Sequence, residues 1–419
     1  MRPIVARPDG ELEVLGGFRP AARSGGRVLK LDASAVIPLP EGTTLMHLPG
    51  RRALALDSKD RPVDVEADLL PVAAVLPVGH LRTLLPASRP LPGSKRLPLY
   101  GYAAVVEHHD ELMVAALSTD AFGWWEPRRY AGGGLDAAIE NARQALPGNR
   151  LVDHLAICAT DLRCYTAQNT FLRRYEGALP ASPACNADCL GCISLQTDSG
   201  APTPQPRIPR APTAEDLIEV GSYHLNGAEA RGEAGMLSFG QGCEGEPLLR
   251  ERALRPVAVE LRRRFPGSTI HINTNGSRPA ALRRLIAAGI NSCRVSVFSF
   301  RQDLFAAYYR PRGYSIEEVL ECARAARQGG AQLTVNLLTF PGVSDSPSEV
   351  ALTLRVLREL QVEQLQLRSL NVDPHWLLSR LPDLDPGLGL DLMVRRLRRQ
   401  LPGLRLGNFT RPLATATSG

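Results

Sequence analysis

Two periodicities divide the chain. Up to about residue 150 the apolar positions come in short runs cut by Pro and Gly, the pattern of irregular β structure. The runs 99–106 and 112–118 are apolar and rich in β-formers, with the polar patch 107–111 between them, which predicts a hairpin. Leu135, Ile139, Ala142 and Leu146 then recur at helical spacing, and Pro147-Gly148 stops that helix. From about residue 180 strands and helices alternate. Strands are expected at 181–184, 236–242, 269–274, 293–298, 332–339 and 364–370, with helices at 248–264, 279–288, 316–328 and 348–360. Ser315 and Glu318 make a capping box for the third of these helices, and Gly329-Gly330 ends it. Thr213 with Asp216 caps a further helical stretch at 217–220.

Strands that alternate with helices pair in parallel, because each crossover must pass over a face of the sheet. Most of the expected strands read as apolar nearly throughout, as when helices cover both faces. Six units over about 200 residues predict an α/β fold: a partial (βα)6 TIM-type barrel preceded by a β-rich α+β N-terminal accessory domain. The expected division is an accessory domain at 1–150, a connector at 151–180, the barrel at 181–375, and a C-terminal helix and tail at 376–419 packing on it. Catalytic groups of such a barrel gather at the carboxyl ends of its strands. The Pro-rich run 200–213 is expected as an extended loop near that mouth. Residues 1–150 carry no catalytic motif; His108-His109 reads as a solvated turn and Trp124-Trp125 as packing.

Composition narrows the class. The chain has 419 residues, 44% apolar and 22% charged, an ordinary globular balance. Its formal charge is +6, and of 49 basic residues only Lys30, Lys59 and Lys95 are lysines. That skew reads as genome composition, so nucleic-acid binding is not supported. Arg395, Arg396, Arg398 and Arg399 read as a solvated helix face. The uncharged stretch 328–344 is too short and polar to cross a membrane, and the first residues lack the apolar core of a secretion signal. A cytoplasmic protein is expected.

The eight cysteines all lie between Cys158 and Cys322. Cys185, Cys189 and Cys192, spaced C-x3-C-x2-C, follow the expected first strand. Three thiolates this close can grip three corners of a cubane iron–sulfur cluster and leave one iron open for chemistry. A structural zinc site needs a fourth ligand, which Cys164 or Cys243 could supply; three packed thiols are the blandest reading. Cys158 and Cys164 are a candidate pair for a second metal if the fold brings two more ligands. Cys243, at the carboxyl end of the second strand, is a candidate hydrogen donor near the barrel mouth or a packed hydrophobe. After the sixth strand, Arg368 is a candidate anion clamp, and Asp373 and His375 are candidate proton carriers unless Asp373-Pro374 is only a turn.

With this triad set on a barrel, residues 180–375 resemble the radical S-adenosylmethionine (SAM) superfamily. A second match is 237–249, LSFGQGCEGEPLL, which looks like the family's glycine-rich GGEP segment. The resemblance implies that Gly245, Glu246 and Pro247 hold the methionine amine of SAM, and that Ser296 in Arg294-Val295-Ser296 and Asn336 lie near its ribose and adenosine. Asn273-Thr274-Asn275-Gly276 is similar to a TNG segment of the family. Two positions depart from the pattern: Gly191 stands where many members carry an aromatic residue, and Glu244 replaces the first glycine of GGEP. The implied cofactors are a [4Fe–4S] cluster and SAM, and the implied partner is an external one-electron reductant of flavodoxin or ferredoxin type. The implied reaction is reductive cleavage of SAM to a 5′-deoxyadenosyl radical that takes hydrogen from a substrate the sequence does not name. With no cysteine beyond Cys322 or before Cys158, cysteine-rich auxiliary cluster domains are not expected. The competing classes are a non-catalytic iron–sulfur electron carrier or redox sensor and a zinc-stabilised binding module.

Overall fold

The computed structural model describes residues 1–120, 127–130, 133–197 and 201–413; Trp124-Trp125 and Gly200 lie outside them. Up to Ser118 the chain is β-rich, in a seven-stranded antiparallel sheet with smaller sheets around it and one 3-10 turn at Ala33–Ala35. The expected hairpin forms between Tyr102–His108 and Glu111–Val114, with His108 opposite Glu111. His109 and Asp110 make its two-residue turn, both at positive φ, which matches the right-handed twist of the strands. The run 112–118 is split between sheets, since Ala116–Ser118 pairs with His80–Arg82.

Helices α1 (Leu135–Ala145), α2 (Arg150–Thr160) and α3 (Tyr165–Phe171) lead into the barrel. Its first strand is Glu176–Ala178, not the expected 181–184. Three residues with a carboxylate among them carry no apolar signal. Glu176 is buried all the same, accepting a hydrogen bond from the Ser238 hydroxyl. The strands then run in chain order as one parallel sheet: Glu176–Ala178, Met236–Phe239, Thr269–Thr274, Ser292–Val297, Gln332–Thr339, Gln364–Ser369 and Arg405–Gly407. The last is a seventh strand, so the six-unit barrel gains one beyond the sixth.

The crossovers are α4 (Ala214–Ala230), α5 (Glu251–Arg264), α6 (Pro279–Ala287), then α7 (Gln302–Tyr309) with α8 (Ile316–Gln328), and α9 (Pro347–Glu359). The Thr213 and Ser315 capping boxes form as the sequence indicates. The helices α10 (Pro374–Leu378) and α11 (Leu390–Gln400) follow the sixth strand, and α11 buries Leu390, Met393, Val394 and Leu397.

The strands are not apolar throughout. Side chains alternate across a strand, and here the helix-facing set is apolar (Ile270 and Ile272; Cys293 and Val295; Leu333 and Val335), while the inner set is polar. His271, Ser292 and Arg294 belong to that inner set, as do Asn336 and Gln366. His271 bonds Ser292 Oγ at 2.7 Å and Asn273 Oδ1 at 2.8 Å, and its burial, with Arg294 nearby, holds the ring down to about 3. Helices cover one face, and polar groups with the chain's own tail fill the other. Arg294 donates to Gln366 Oε1 at 2.8 Å, Gln366 to Thr410 Oγ1 at 3.0 Å, and Leu413 N to Thr269 Oγ1 at 2.8 Å.

The β-domain docks at the carboxyl end of the sixth strand. Arg82, fully buried, donates from its backbone to Ser369 Oγ and from its guanidinium to Leu370 O. Arg51 pairs with Asp373, 3% and 1% exposed, and Asp373 also accepts from Leu97 N at 2.9 Å. Breaking a buried pair leaves a desolvated charge, so Arg51→Met is expected to cost about 3–5 kcal/mol in urea unfolding. Arg89→Ala, which breaks the exposed pair with Asp64, is expected to cost about 1 kcal/mol or less.

Candidate active site

The cysteine loop leaves the first strand and is fixed from two sides. On one side, Gly245 N donates to Ser182 O at 2.6 Å and Glu246 N to Ala184 O at 2.8 Å, so residues 182–184 and 245–246 lie backbone to backbone. The contact leaves no room for a side chain: a Cβ at Gly245 would stand 2.0 Å from Ala184 O. Glu244, 4% exposed, takes N–H bonds from Ala181 and Ser182 on one oxygen and from Gly240 and Gln241 on the other, all 2.6–2.8 Å. Burial pushes its carboxyl up to about 7 against these donors. Glu244 thus ties the loops after the first two strands to each other.

On the other side stands the end of α7. Asp188 N donates to Tyr309 O and Leu190 N to Tyr308 O, both at 3.0 Å, while Arg312 reaches Asn186 O at 2.8 Å and Cys185 O at 2.9 Å. Tyr308 answers the departure at Gly191. A Cβ there would meet the Tyr308 hydroxyl at 3.0 Å, and the Tyr308 ring stacks on Phe298 at 4.6 Å. An aromatic side chain thus occupies the space beside Gly191, supplied by α7.

Cys185, Cys189 and Cys192 are each half-buried. Burial and then Glu246 push the Cys185 thiol up to about 11. Burial and the neighbouring Cys192 and Cys185 push Cys189 well above the thiol range. Three thiolates here repel one another and are poorly solvated, and a cationic cluster relieves both penalties. Among the described residues, the three sulfurs do not gather within 4.8 Å of one another. Thiolates on one tetrahedral ion stand roughly 3.8 Å apart, so these three are not gathered as on a single ion. Arg207 from the Pro-rich run adds a cationic neighbour, Nη2 lying 3.7 Å from Cys192 Sγ and 3.0 Å from Ser194 Oγ.

Glu246, 3% exposed, lies between this loop and the third strand. Its carboxylate accepts from Leu248 N at 2.9 Å, Thr274 Oγ1 at 2.6 Å and Asn275 N at 2.7 Å, and burial pushes it up to about 7. Pro247 opens the short 3-10 turn Pro247–Arg250 behind it. Asn275 Nδ2 reaches Asn186 Oδ1 at 2.9 Å, joining the TNG segment to the cysteine loop. Deeper in, Asn336 Nδ2 donates to Ser296 Oγ at 3.1 Å, and Asn336 Oδ1 is buried with no partner among the described residues. An orphaned buried acceptor is a place for a ligand donor.

Cys243 points elsewhere. Its thiol meets Cys158, whose own thiol is drawn down to about 5 by that hydrogen bond and then by His154, against its burial. Asp373 is taken up by Arg51, by Leu97 N and by the first N–H groups of α10. The His375 ring lies on Arg23, with Nε2 2.6 Å and Nδ1 2.9 Å from Nη1, and burial plus that cation lowers it to about 4. Arg368 donates to Asn408 O at 2.7 Å. Sequence reasoning gave no role to Glu244, Arg207, or the Tyr308-Tyr309-Arg310-Pro311-Arg312 run; that aromatic and basic cluster after the fourth strand was the available signal.

Residues 179–354 match the family model of the Radical SAM superfamily. Among solved structures, the chain is similar to a radical SAM methyltransferase from Sphaerobacter thermophilus, with 18% identity over 56% of this chain and 66% of that one, TM-score 0.39. It is also similar to SuiB of Streptococcus suis bound to SAM (14%, 56% and 50%, 0.39) and to methylornithine synthase, PylB (17%, 65% and 77%, 0.39). The chain spans half to about three quarters of these proteins' lengths. The backbone contact at Gly245 cannot be relieved by a rotamer change, so Gly245→Ala is expected to cost about 1–3 kcal/mol or more in thermal unfolding. Gly191→Ala, facing the tip of a side chain, is expected to cost less.

Proposed function

We propose, on the match of residues 179–354 to the Radical SAM superfamily model, that the chain is a radical SAM enzyme in which Cys185, Cys189 and Cys192 hold a [4Fe–4S] cluster with one iron left for SAM. It is an enzyme of that class, working with an iron–sulfur cluster and SAM. When bound, these groups supply one-electron cleavage of SAM to methionine and a 5′-deoxyadenosyl radical that abstracts hydrogen from the substrate. The observation that carries the reading is the backbone join at Gly245 and Glu246, which sets a buried carboxylate against the cysteine loop.

The residues divide the work. Glu246 pairs with the ammonium of SAM, and an incoming cation favours its charged form despite burial. Gly245 would let the backbone approach a bound SAM, and Pro247 fixes the turn that aims Glu246. Ser296 and Asn336 take the nucleoside end, where the free Asn336 Oδ1 accepts a hydroxyl or amine hydrogen. Arg207 donates toward Cys192, a charge that would raise the readiness of a cluster held there to accept an electron. The electron comes from a flavodoxin- or ferredoxin-type donor. Cys243, Asp373 and His375 are left without a part in the radical step, since each is turned toward protein partners. Among the described residues no helix is long and apolar enough to cross a membrane.

Anaerobic reconstitution, reduction and product analysis test the reading. Wild-type protein is expected to form 5′-deoxyadenosine, and Cys189→Ala to form none; intact SAM beside a fully loaded, reduced cluster would overturn it. Glu246→Gln is expected to weaken SAM binding about tenfold or more, the loss of a charge-assisted bond, seen as a raised KM for SAM.

A further inference from the structure

A second group of ligating side chains lies behind the active site. His154 and Cys158 stand one turn apart on one face of α2, with Nε2 and Sγ 3.6 Å apart. Cys243 arrives from the loop after the second strand. The three donor atoms lie within 4.8 Å of one another, with Cys158 and Cys243 buried and His154 half-buried. No other group of three His, Cys, Asp or Glu among the described residues converges this way. Cys164 is adjacent: its N–H donates to Cys158 O at 2.8 Å, and its thiol meets Thr166 Oγ1 at 3.2 Å.

We propose that His154, Cys158 and Cys243 form a mononuclear site for a thiophilic divalent ion of the zinc class, with Cys164 as fourth donor. Zinc bonds of about 2.3 Å to sulfur and 2.0 Å to nitrogen put tetrahedral N and S ligands roughly 3.6 Å apart, the spacing seen between His154 and Cys158. Thiolates with an imidazole form a soft set that excludes magnesium and calcium. A plain S–H···N bond accounts for that one contact. It does not account for the convergence of a third donor from a segment 85 positions on in the chain. Cys164, whose thiol lies outside that 4.8 Å group, would exchange its Thr166 contact for the ion.

The site is a staple. It joins α2 and the start of α3 to the loop 241–246, which Thr166 already holds through Gln241 Oε1 at 3.0 Å and Ile208 N through Cys243 O at 2.7 Å. Two residues on, Gly245 meets the cysteine loop. The staple uses none of the three cluster cysteines, so the two centres are separable.

The test is metal analysis and cobalt substitution on full-length protein in which Cys185, Cys189 and Cys192 are all replaced by Ala, which removes the cluster. This triple variant is expected to retain one zinc per chain, to release it to a chelator, and to take up cobalt with the thiolate charge-transfer and d–d bands of a tetrahedral site. Adding Cys158→Ser or Cys243→Ser is expected to abolish those bands, and His154→Gln to weaken cobalt binding about tenfold or more. If the added substitutions prevent folding, titration of the triple variant alone still decides. Absence of zinc and cobalt binding in the folded triple variant, metal content unchanged by Cys158→Ser, or a Cys158–Cys243 disulfide in protein kept anaerobic would each overturn the proposal.

Discussion

The site depends on a close backbone approach between two loops that leave neighbouring parallel strands. In a barrel each loop is anchored only at its own strand, and nothing in the sheet fixes one loop against the next. Here the join is made by Gly245 against Ala184 and by the Glu244 carboxylate, which gathers four N–H groups from both loops. A buried carboxylate is costly, and four charge-assisted bonds offset that cost while fixing geometry. Every later feature, from the cysteine spread to the position of Glu246, inherits its coordinates from this join.

A second constraint comes from the β-domain. It docks over the carboxyl ends of the sheet through charged groups, Arg51 with Asp373, Arg23 with His375 and Arg82 with backbone carbonyls, beside Leu81 and Leu85, which join the apolar core of the barrel. Arg96 stacks on Trp376 at 3.5 Å and donates to Leu190 O at 3.2 Å, so the same domain touches the cysteine loop. Polar docking of this kind specifies orientation, because each buried charge has one place to find its partner. The tail contributes at the lumen, where Thr410 and Asn408 satisfy groups of the fourth and sixth strands.

Much of the barrel was legible. Helix α8 spans the expected 316–328, both capping boxes form, and most strands fall within a residue or two, since periodicity and caps are local signals. The misses have physical causes. The first strand is too short and too polar to register, and its glutamate is tolerated only because Ser238 and the lumen arginines face it. The seventh strand, three residues long, is stabilised by pairing with the sixth. The expectation of wholly apolar strands failed because the inner face is covered by polar side chains and tail, a partner invisible to any local window.

For the proposed site, sequence alone supplied the candidate donors: three cysteines at C-x3-C-x2-C and a Gly-Glu-Pro segment are covalent facts about which donors exist and how near they must stay. Tertiary structure alone decided what the remaining reactive residues face. Asp373 and His375, promising as proton carriers by composition, meet arginines 322 and 352 positions away. Cys243, four residues past the second strand, turns from the mouth toward His154 and Cys158. A side chain's identity fixes what it can bond, but its partner is set by chain segments brought together only on folding, and no spacing along the sequence encodes that meeting.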